Sequence, residues 1–104
     1  MPSPRKPDSS GQPPPIATKF PLGRLMVTTN AVMNLTPEDF LPAVDRHQRG
    51  DWGAVDDHDR QANEDALREG TRLLSVYHAE NGLKFWIITE ADRSATTIML
   101  PADH

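Results

Sequence analysis

The stretch WIITEADRSATTIML, residues 86–100, decides the fold, because two short apolar runs meet there across a polar connection. β-Branched residues dominate both runs, as is typical of strands. If residues 91–94 form a four-residue turn, Ile87 pairs with Ile98 in an antiparallel register. The stretch therefore predicts the last two strands of a sheet.

A second hairpin is predicted just before it. Asn81-Gly82 separates two further strand-like segments, TRLLSVYHAE and LKFWIITE. Asn-Gly favours a two-residue type I′ turn, and a turn of that length pairs Tyr77 with Trp86. The C-terminal part of the chain is thus predicted to be a three-strand antiparallel meander.

This register assigns side chains to the two faces of the sheet, because neighbouring residues of a strand point to opposite sides. The face expected to lie under helices carries Leu74, Val76, His78, Phe85, Ile87, Thr89, Thr96, Ile98 and Leu100. The other carries Leu73, Ser75, Tyr77, Trp86, Ile88, Glu90, Ala95, Thr97 and Met99. The second face is too apolar for a plain solvent face, so we expect any binding there.

Upstream of the meander the pattern predicts one strand and two helices. The strand is GRLMVTT, residues 23–29, followed by a loose turn. Thr36-Pro37 begins a helix that ends near Gly50, since Thr is a common N-cap and Pro suits the first helical position. A second helix runs from Asp56 or Asp57 to Glu69. The fold class is therefore α+β, with both helices packed on one face of the sheet.

Length and composition set further bounds. The chain has 104 residues, no cysteine and a formal net charge of −4. Residues 1–19 are rich in proline and predict a disordered tail, and residues 20–104 predict a single domain. The absence of cysteine excludes disulfides and thiolate metal sites. The net charge does not support nucleic-acid binding, and the sequence predicts a cytoplasmic protein without membrane contact or cofactor.

The turn of the opening stretch admits a catalytic interpretation. A carboxylate, an arginine and a tyrosine are the groups that metal-independent RNA cleavage uses as base, phosphate clamp and acid. Glu90, Arg93 and Tyr77 supply these three groups. The alternative is an Asp92-Arg93 turn that holds itself together through local hydrogen bonds and a surface ion pair.

Other residues suggest binding. Trp52 lies in a glycine-bracketed loop, where an aromatic ring either closes the core or anchors a partner. Residues 51–70 hold seven acids and two arginines, which suits either a solvated helix or a docking surface for a basic partner. Trp86 and Asp92 complete the candidate binding residues. The histidines and acids around residues 47–59 lack the spacing of a zinc motif.

The segments GDWG, ALREGTRLLSVY and WIITEADRSATTIMLP resemble, in that order, a family of roughly hundred-residue bacterial proteins carried on plasmids and integrative elements. Members are called plasmid-related proteins or are labelled subunit M of type I restriction systems. The resemblance implies a role in mobile DNA but no defined activity. A DNA methylase needs a glycine-rich methyl-donor loop and an Asn-Pro-Pro-aromatic motif, and this chain contains neither.

Two functions remain at this stage. The first is a small accessory protein of mobile DNA that binds an unidentified protein partner. The second is a metal-independent ribonuclease of the RelE or barnase type, whose order of strands and helices is similar. The sequence leaves the oligomeric state open.

Overall fold

A computed structural model describes residues 18–104, so most of the predicted tail at residues 1–19, namely residues 1–17, lies outside the described residues. The elements are β1 (Arg24–Val27), α1 (Thr29–Asn34), α2 (Pro37–Gln48), α3 (Asp57–Glu69), β2 (Leu73–His78), β3 (Lys84–Thr89) and β4 (Ala95–Met99), followed by a 3-10 turn (Pro101–Asp103). This is an α+β fold, as the sequence predicts.

The four strands form one mixed sheet in the order β1-β4-β3-β2. β2, β3 and β4 make the predicted antiparallel meander, and β1 adds to β4 in parallel. The parallel pair was not foreseen, because it joins segments some seventy residues apart with no local signal. The sheet therefore has two edge strands, β1 and β2.

The pairing of β3 with β4 confirms the register read from the opening stretch. Ile87 pairs with Ile98 and Ile88 with Thr97, and the Glu90 amide donates to the Ala95 carbonyl across residues 91–94. The polar connection is thus a four-residue hairpin turn.

The predicted register of β2 against β3 was wrong by one residue. Tyr77 pairs with Phe85, not with Trp86. The loop contains three residues, since the Ala79 amide donates to the Leu83 carbonyl, and Gly82 lies in the left-handed region at φ 90°. Asn-Gly also fits such a three-residue loop, in which the glycine takes the left-handed position.

This slip of one residue exchanges the two faces of β2 and corrects the predicted face assignment. The face under the helices carries Leu73, Ser75, Tyr77, Phe85, Ile87, Thr89, Thr96 and Ile98. The opposite face, which we call the open face, carries Leu74, Val76, His78, Lys84, Trp86, Ile88, Ala95, Thr97 and Met99. His78 is exposed and does not belong to the core.

A short helix, α1, replaces the loose turn predicted after the first strand. Thr28 caps it by accepting a hydrogen bond from the Ala31 amide. Its remaining support is distant in sequence: Asp103 accepts hydrogen bonds from the Thr28 hydroxyl and from the side-chain Nδ2 of Asn30, each at 2.7 Å. Because these partners lie at the C-terminus, local sequence gave no sign of the helix.

The two predicted helices, α2 and α3, are confirmed, and capping residues lie at their ends as the sequence predicts. The Thr36 amide donates to the side chain of Asp39 at the start of α2, and Pro42 lies within the helix. Asp56 caps α3 by accepting from the Asp59 amide at 2.8 Å, and Gly70 ends it in the left-handed conformation. Ala43, Val44 and Ala66 are buried against the sheet side that carries Phe85 and Leu73, so both helices cover one face.

The outer edge of β2 is closed by groups that replace a further strand. The Asn63 side chain donates to the Leu74 carbonyl at 2.7 Å and accepts from the Leu74 amide at 3.0 Å. Two positions along, the Val76 amide donates to the Trp52 carbonyl, and the Val76 carbonyl accepts from the Ala54 amide. Because backbone groups of an edge strand invite pairing with another chain, these contacts protect β2 from it.

We expect Asn63→Leu to lower the free energy of unfolding by about 2–3 kcal/mol, because it leaves both polar backbone groups of Leu74 without a partner. Denaturant unfolding measures this. Gln61→Leu, which puts the same residue on the exposed side of the same helix, should change stability by about 0.5 kcal/mol or less. Equal losses in both variants would show that the Asn63 amide does not hold the β2 edge.

Candidate functional site

The open face is the side of the sheet opposite α1, α2 and α3. Leu74, Val76, Trp86 and Met99 are each half-buried there, around a buried Ile88. A solvated sheet face normally carries polar residues at these positions. The open face is therefore apolar where simple solvation would favour polarity.

Charged and polar side chains lie at the two ends of this apolar centre. His78 and Lys84 form a cross-strand pair at one end. Arg72 and Glu90 approach at 3.7 Å at the other. The C-terminal His104 lies edge-on to Trp86, with ring centroids 5.3 Å apart. An apolar centre with a charged rim is the common anatomy of a protein-binding surface.

Arg93, a candidate catalytic residue, is engaged in structural contacts. Its own φ is 62°, and its guanidinium donates to carbonyl groups of α3, of the segment after it and of the turn. These are Ala66 (3.0 Å), Thr71 (2.6 Å), Glu90 (3.1 Å) and Ala91 (3.2 Å). A cation at the C-terminal end of α3 also interacts favourably with the helix dipole. Arg93 thus ties the β3–β4 turn to α3.

Tyr77 does not converge with the other two candidate catalytic residues. It lies under the helices, 3% exposed, and its hydroxyl donates to the Asp51 carbonyl at 2.5 Å. Burial raises the pKa of Tyr77 to about 12, which makes it a poor proton donor at neutral pH. Leu73 lies beside the turn, and Tyr77 is four residues further along β2, roughly 13 Å at the rise of a strand. Glu90, Arg93 and Tyr77 therefore cannot contact one phosphate.

Trp52 closes the core in this structure. It is 3% exposed, its ring stacks on Phe20 with centroids 6.2 Å apart, and its indole nitrogen donates to Glu64 at 2.8 Å. Asp92, by contrast, is exposed and accepts from the Ser94 amide at 2.9 Å. Hydrogen bonds from the Ser94 hydroxyl and then from the Ser94 amide lower the pKa of Asp92, and the amide bond stabilises the turn. Of the three candidate binding residues, Trp86 alone lies on the open face.

Part of the acidic segment at residues 51–70 is neutralised locally. Asp51 pairs with Arg46, Asp57 with Arg60 and Asp65 with Arg68. Glu64 accepts the hydrogen bond of the Trp52 indole. The acids of α3 thus serve mainly as caps and short ion pairs on a solvated helix.

A buried polar chain lies beneath α2. The ring nitrogens of His47 contact Ser75 Oγ at 2.5 Å and Thr89 Oγ1 at 2.8 Å. Thr89 Oγ1 contacts Thr96 Oγ1 at 2.8 Å, and the Thr96 hydroxyl donates to the Leu22 carbonyl at 2.8 Å. All four side chains of this chain are fully buried.

The Leu22 carbonyl sets the direction of the hydrogen bonds that join Thr96, Thr89 and His47, because a carbonyl can only accept. Thr96 donates its only hydroxyl proton to the Leu22 carbonyl, so Thr89 must donate to Thr96. His47 must then donate to Thr89 from Nε2. Burial lowers the pKa of His47 to about 3, so the ring is neutral and its unprotonated Nδ1 accepts from Ser75. The network thus assigns a neutral Nε2–H tautomer to His47.

This arrangement resembles a nucleophile beside its base but lacks what catalysis needs. The edges of Phe20 and Trp52 lie against the His47 ring, at centroid distances of 5.1 and 5.7 Å. Ser75 is 0% exposed, so no substrate can reach its hydroxyl. The third group is a threonine and not a carboxylate, so nothing would stabilise a charged imidazole. The network is structural.

Comparisons with models of protein families, with curated proteins and with solved structures gave no match. No helix among residues 18–104 is long and apolar enough to cross a membrane. In the same part of the chain, no three His, Asp or Glu side chains cluster as metal ligands would. Function must therefore be argued from the surfaces of this molecule.

We expect Arg93→Ala to lower the free energy of unfolding by about 2 kcal/mol, because it leaves four carbonyl groups without their charged donor. Both residues carry a Cβ, so the strain of the positive φ is unchanged. Arg72→Ala, which removes only an exposed ion pair, should cost at most about 0.5 kcal/mol. Thermal and denaturant unfolding of both variants measure the difference, and similar losses would argue against the role of Arg93.

We also expect acid to weaken the fold through His47. Burial, aided by the charge of Arg93, lowers the pKa of His47 from 6.5 to about 3. The unfolded state therefore binds a proton more readily, and stability is full above pH 6.5 and falls progressively towards pH 3. Between pH 7.5 and pH 5 the loss should be about 2 kcal/mol.

His47→Gln, which cannot take up this proton, is the matched control for that experiment. Denaturant unfolding at a series of pH values should show a flatter profile between pH 7.5 and pH 5 in the variant. An unchanged slope would mean that His47 is not the group responsible.

Proposed function

We propose that this chain is a protein-interaction module that binds a protein partner through the open face of its sheet. The observation that carries the proposal is the apolar centre around Trp86, on the face that α1, α2 and α3 leave uncovered. Trp is the residue most often responsible for binding energy when it lies at the centre of an interface. The charged ends of the face supply a rim that fixes orientation.

The geometry favours this function over RNA cleavage. Of the three groups required by a ribonuclease, Tyr77 lies far from Glu90 and Arg93, and both Arg93 and Tyr77 donate their hydrogen bonds to backbone carbonyl groups. The predicted link to mobile DNA rests on the sequence resemblance alone and stays a prediction. Neighbouring genes on plasmids or integrative elements would support it.

The partner can be sought with a photo-crosslinking residue placed at position 86. In a lysate of the source cells, we expect a protein adduct from position 86 and none from position 61, on the exposed side of α3. Adding Met99→Lys to the position-86 chain should abolish the adduct, because it buries a charge within the same surface. No adduct from position 86, or equal adducts from both positions, would contradict the proposal.

With the captured partner in hand, we expect Trp86→Ala to weaken binding by roughly thirtyfold, equivalent to about 2 kcal/mol. Arg60→Ala, an exposed change on α3, should leave affinity within about twofold. Calorimetric titration of folded variants measures both. Equal affinities for wild-type protein and Trp86→Ala would place the binding surface elsewhere.

A further inference from the structure

We infer that two copies of this chain associate edge to edge through β1, joining their four-stranded sheets into one. The surface involved is the outer edge of β1. It is distinct from the open face, so this inference stands or falls separately from the proposed function.

The outer edge of β1 presents hydrogen-bonding groups that no residue in the range 18–104 uses. The amides of Arg24 and Thr28 donate to Ser94 and Ile98 at 2.9 and 3.0 Å, so even-numbered residues face β4. Leu25 and Val27 therefore point their amides and carbonyls away from the sheet. Within residues 18–104 no group forms a hydrogen bond with them. An edge of this kind is a template for another strand.

A twofold axis at Met26 gives a matching antiparallel register. Leu25 then lies opposite Val27 of the second copy, and Val27 opposite Leu25, so the outward amides and carbonyls form four hydrogen bonds. A shift in either direction would recruit Gly23, whose φ is 66°, or Thr29, the first residue of α1. Neither is extended, so the register centred on Met26 is preferred.

Charge complementarity supports this register. It places Arg24 opposite Thr28 of the second copy, and directly opposed residues share a face of the sheet. The Thr28 hydroxyl donates to the Asp103 carboxylate at 2.7 Å, so an acid lies beside that position. That hydrogen bond, with one from Asn30, lowers the pKa of Asp103 and keeps it charged. Arg24 of each copy would thus face Asp103 of the other copy, which makes two such pairs in the dimer.

Exposed apolar side chains mark the same region. Leu25 is 40% exposed, Met26 39%, and in the adjoining α1 Val32 is 58% exposed. Strand pairing would place Leu25 beside Val27 of the second copy and bring the two Met26 side chains together. Because Asn63 and the Trp52–Ala54 segment close the β2 edge, addition of copies ends at two and does not continue into a fibre.

The chain has no cysteine, so a single introduced thiol reports the register directly. In a directly opposed pair without hydrogen bonds the Cα atoms lie about 4.5 Å apart, within the range of a disulfide. Under a mild oxidant, full-length Met26→Cys should become a disulfide-linked dimer at least tenfold faster than Met33→Cys. Met33 is 77% exposed on α1, so it controls for random collision. Equal rates would overturn the inference.

Sedimentation of the full-length chain over a concentration series tests association without a thiol. We expect Arg24→Glu to raise the dimer dissociation constant about tenfold or more, because it sets a carboxylate opposite Asp103 of the second copy. Arg60→Glu should leave the constant within about twofold. Circular dichroism confirms that each variant is folded.

Two further outcomes would overturn the inference. One is a wild-type chain that stays monomeric at about 100 µM, because an edge-paired dimer with a smaller dissociation constant would be populated at that concentration. The other is dimerisation only after residues 1–17 are removed, which would mean that the chain's own N-terminal segment occupies the β1 edge.

Discussion

The hydrogen-bonded chain that begins at His47 constrains the rest of the structure. It links α2 to β2, β3 and β4 and ends on the Leu22 carbonyl just before β1. His47, Thr89 and Thr96 each donate one hydrogen bond and accept another, so none of them can move without leaving a buried polar group unsatisfied. Phe20 and Trp52 exclude water from it, which raises the cost of any such break. The register of the sheet and the position of α2 are therefore fixed together.

This constraint explains why the register of β2 could not be read from the turn. Asn-Gly is compatible with loops of two or three residues, and each choice puts a different set of β2 side chains under the helices. The observed loop places Ser75 beneath His47 and Tyr77 beneath the Asp51 carbonyl. Both polar contacts join residues more than twenty positions apart, beyond the reach of local patterns. Hydrophobic alternation, which is similar for both registers, could not decide between them.

Features with local causes were predictable, and features with distant causes were not. The caps of α2 and α3 and the turn at residues 91–94 depend on neighbouring residues, and all three were anticipated. The helix α1 depends on Asp103, and β1 finds its place only by pairing with β4. The candidate site follows the same division. Trp86 was assigned to the open face, whereas the partners of Arg93 and Tyr77 are carbonyl groups that no sequence motif reveals.

The polar groups that suggested catalysis are thus used to complete a small domain. Three helices cover one face of the sheet, and Asn63 closes one edge. None of α1, α2 and α3 covers the second face. The open face exposes apolar side chains, and the outer edge of β1 exposes backbone amides and carbonyls. The two surfaces therefore suit different partners. An apolar centre with a charged rim suits another protein's side chains, and a free strand edge with self-matching charges suits a second copy. Pairing through β1 would also set two open faces side by side on one continuous sheet. A bivalent partner that binds one face would then bind the second in an intramolecular step, which raises its overall affinity.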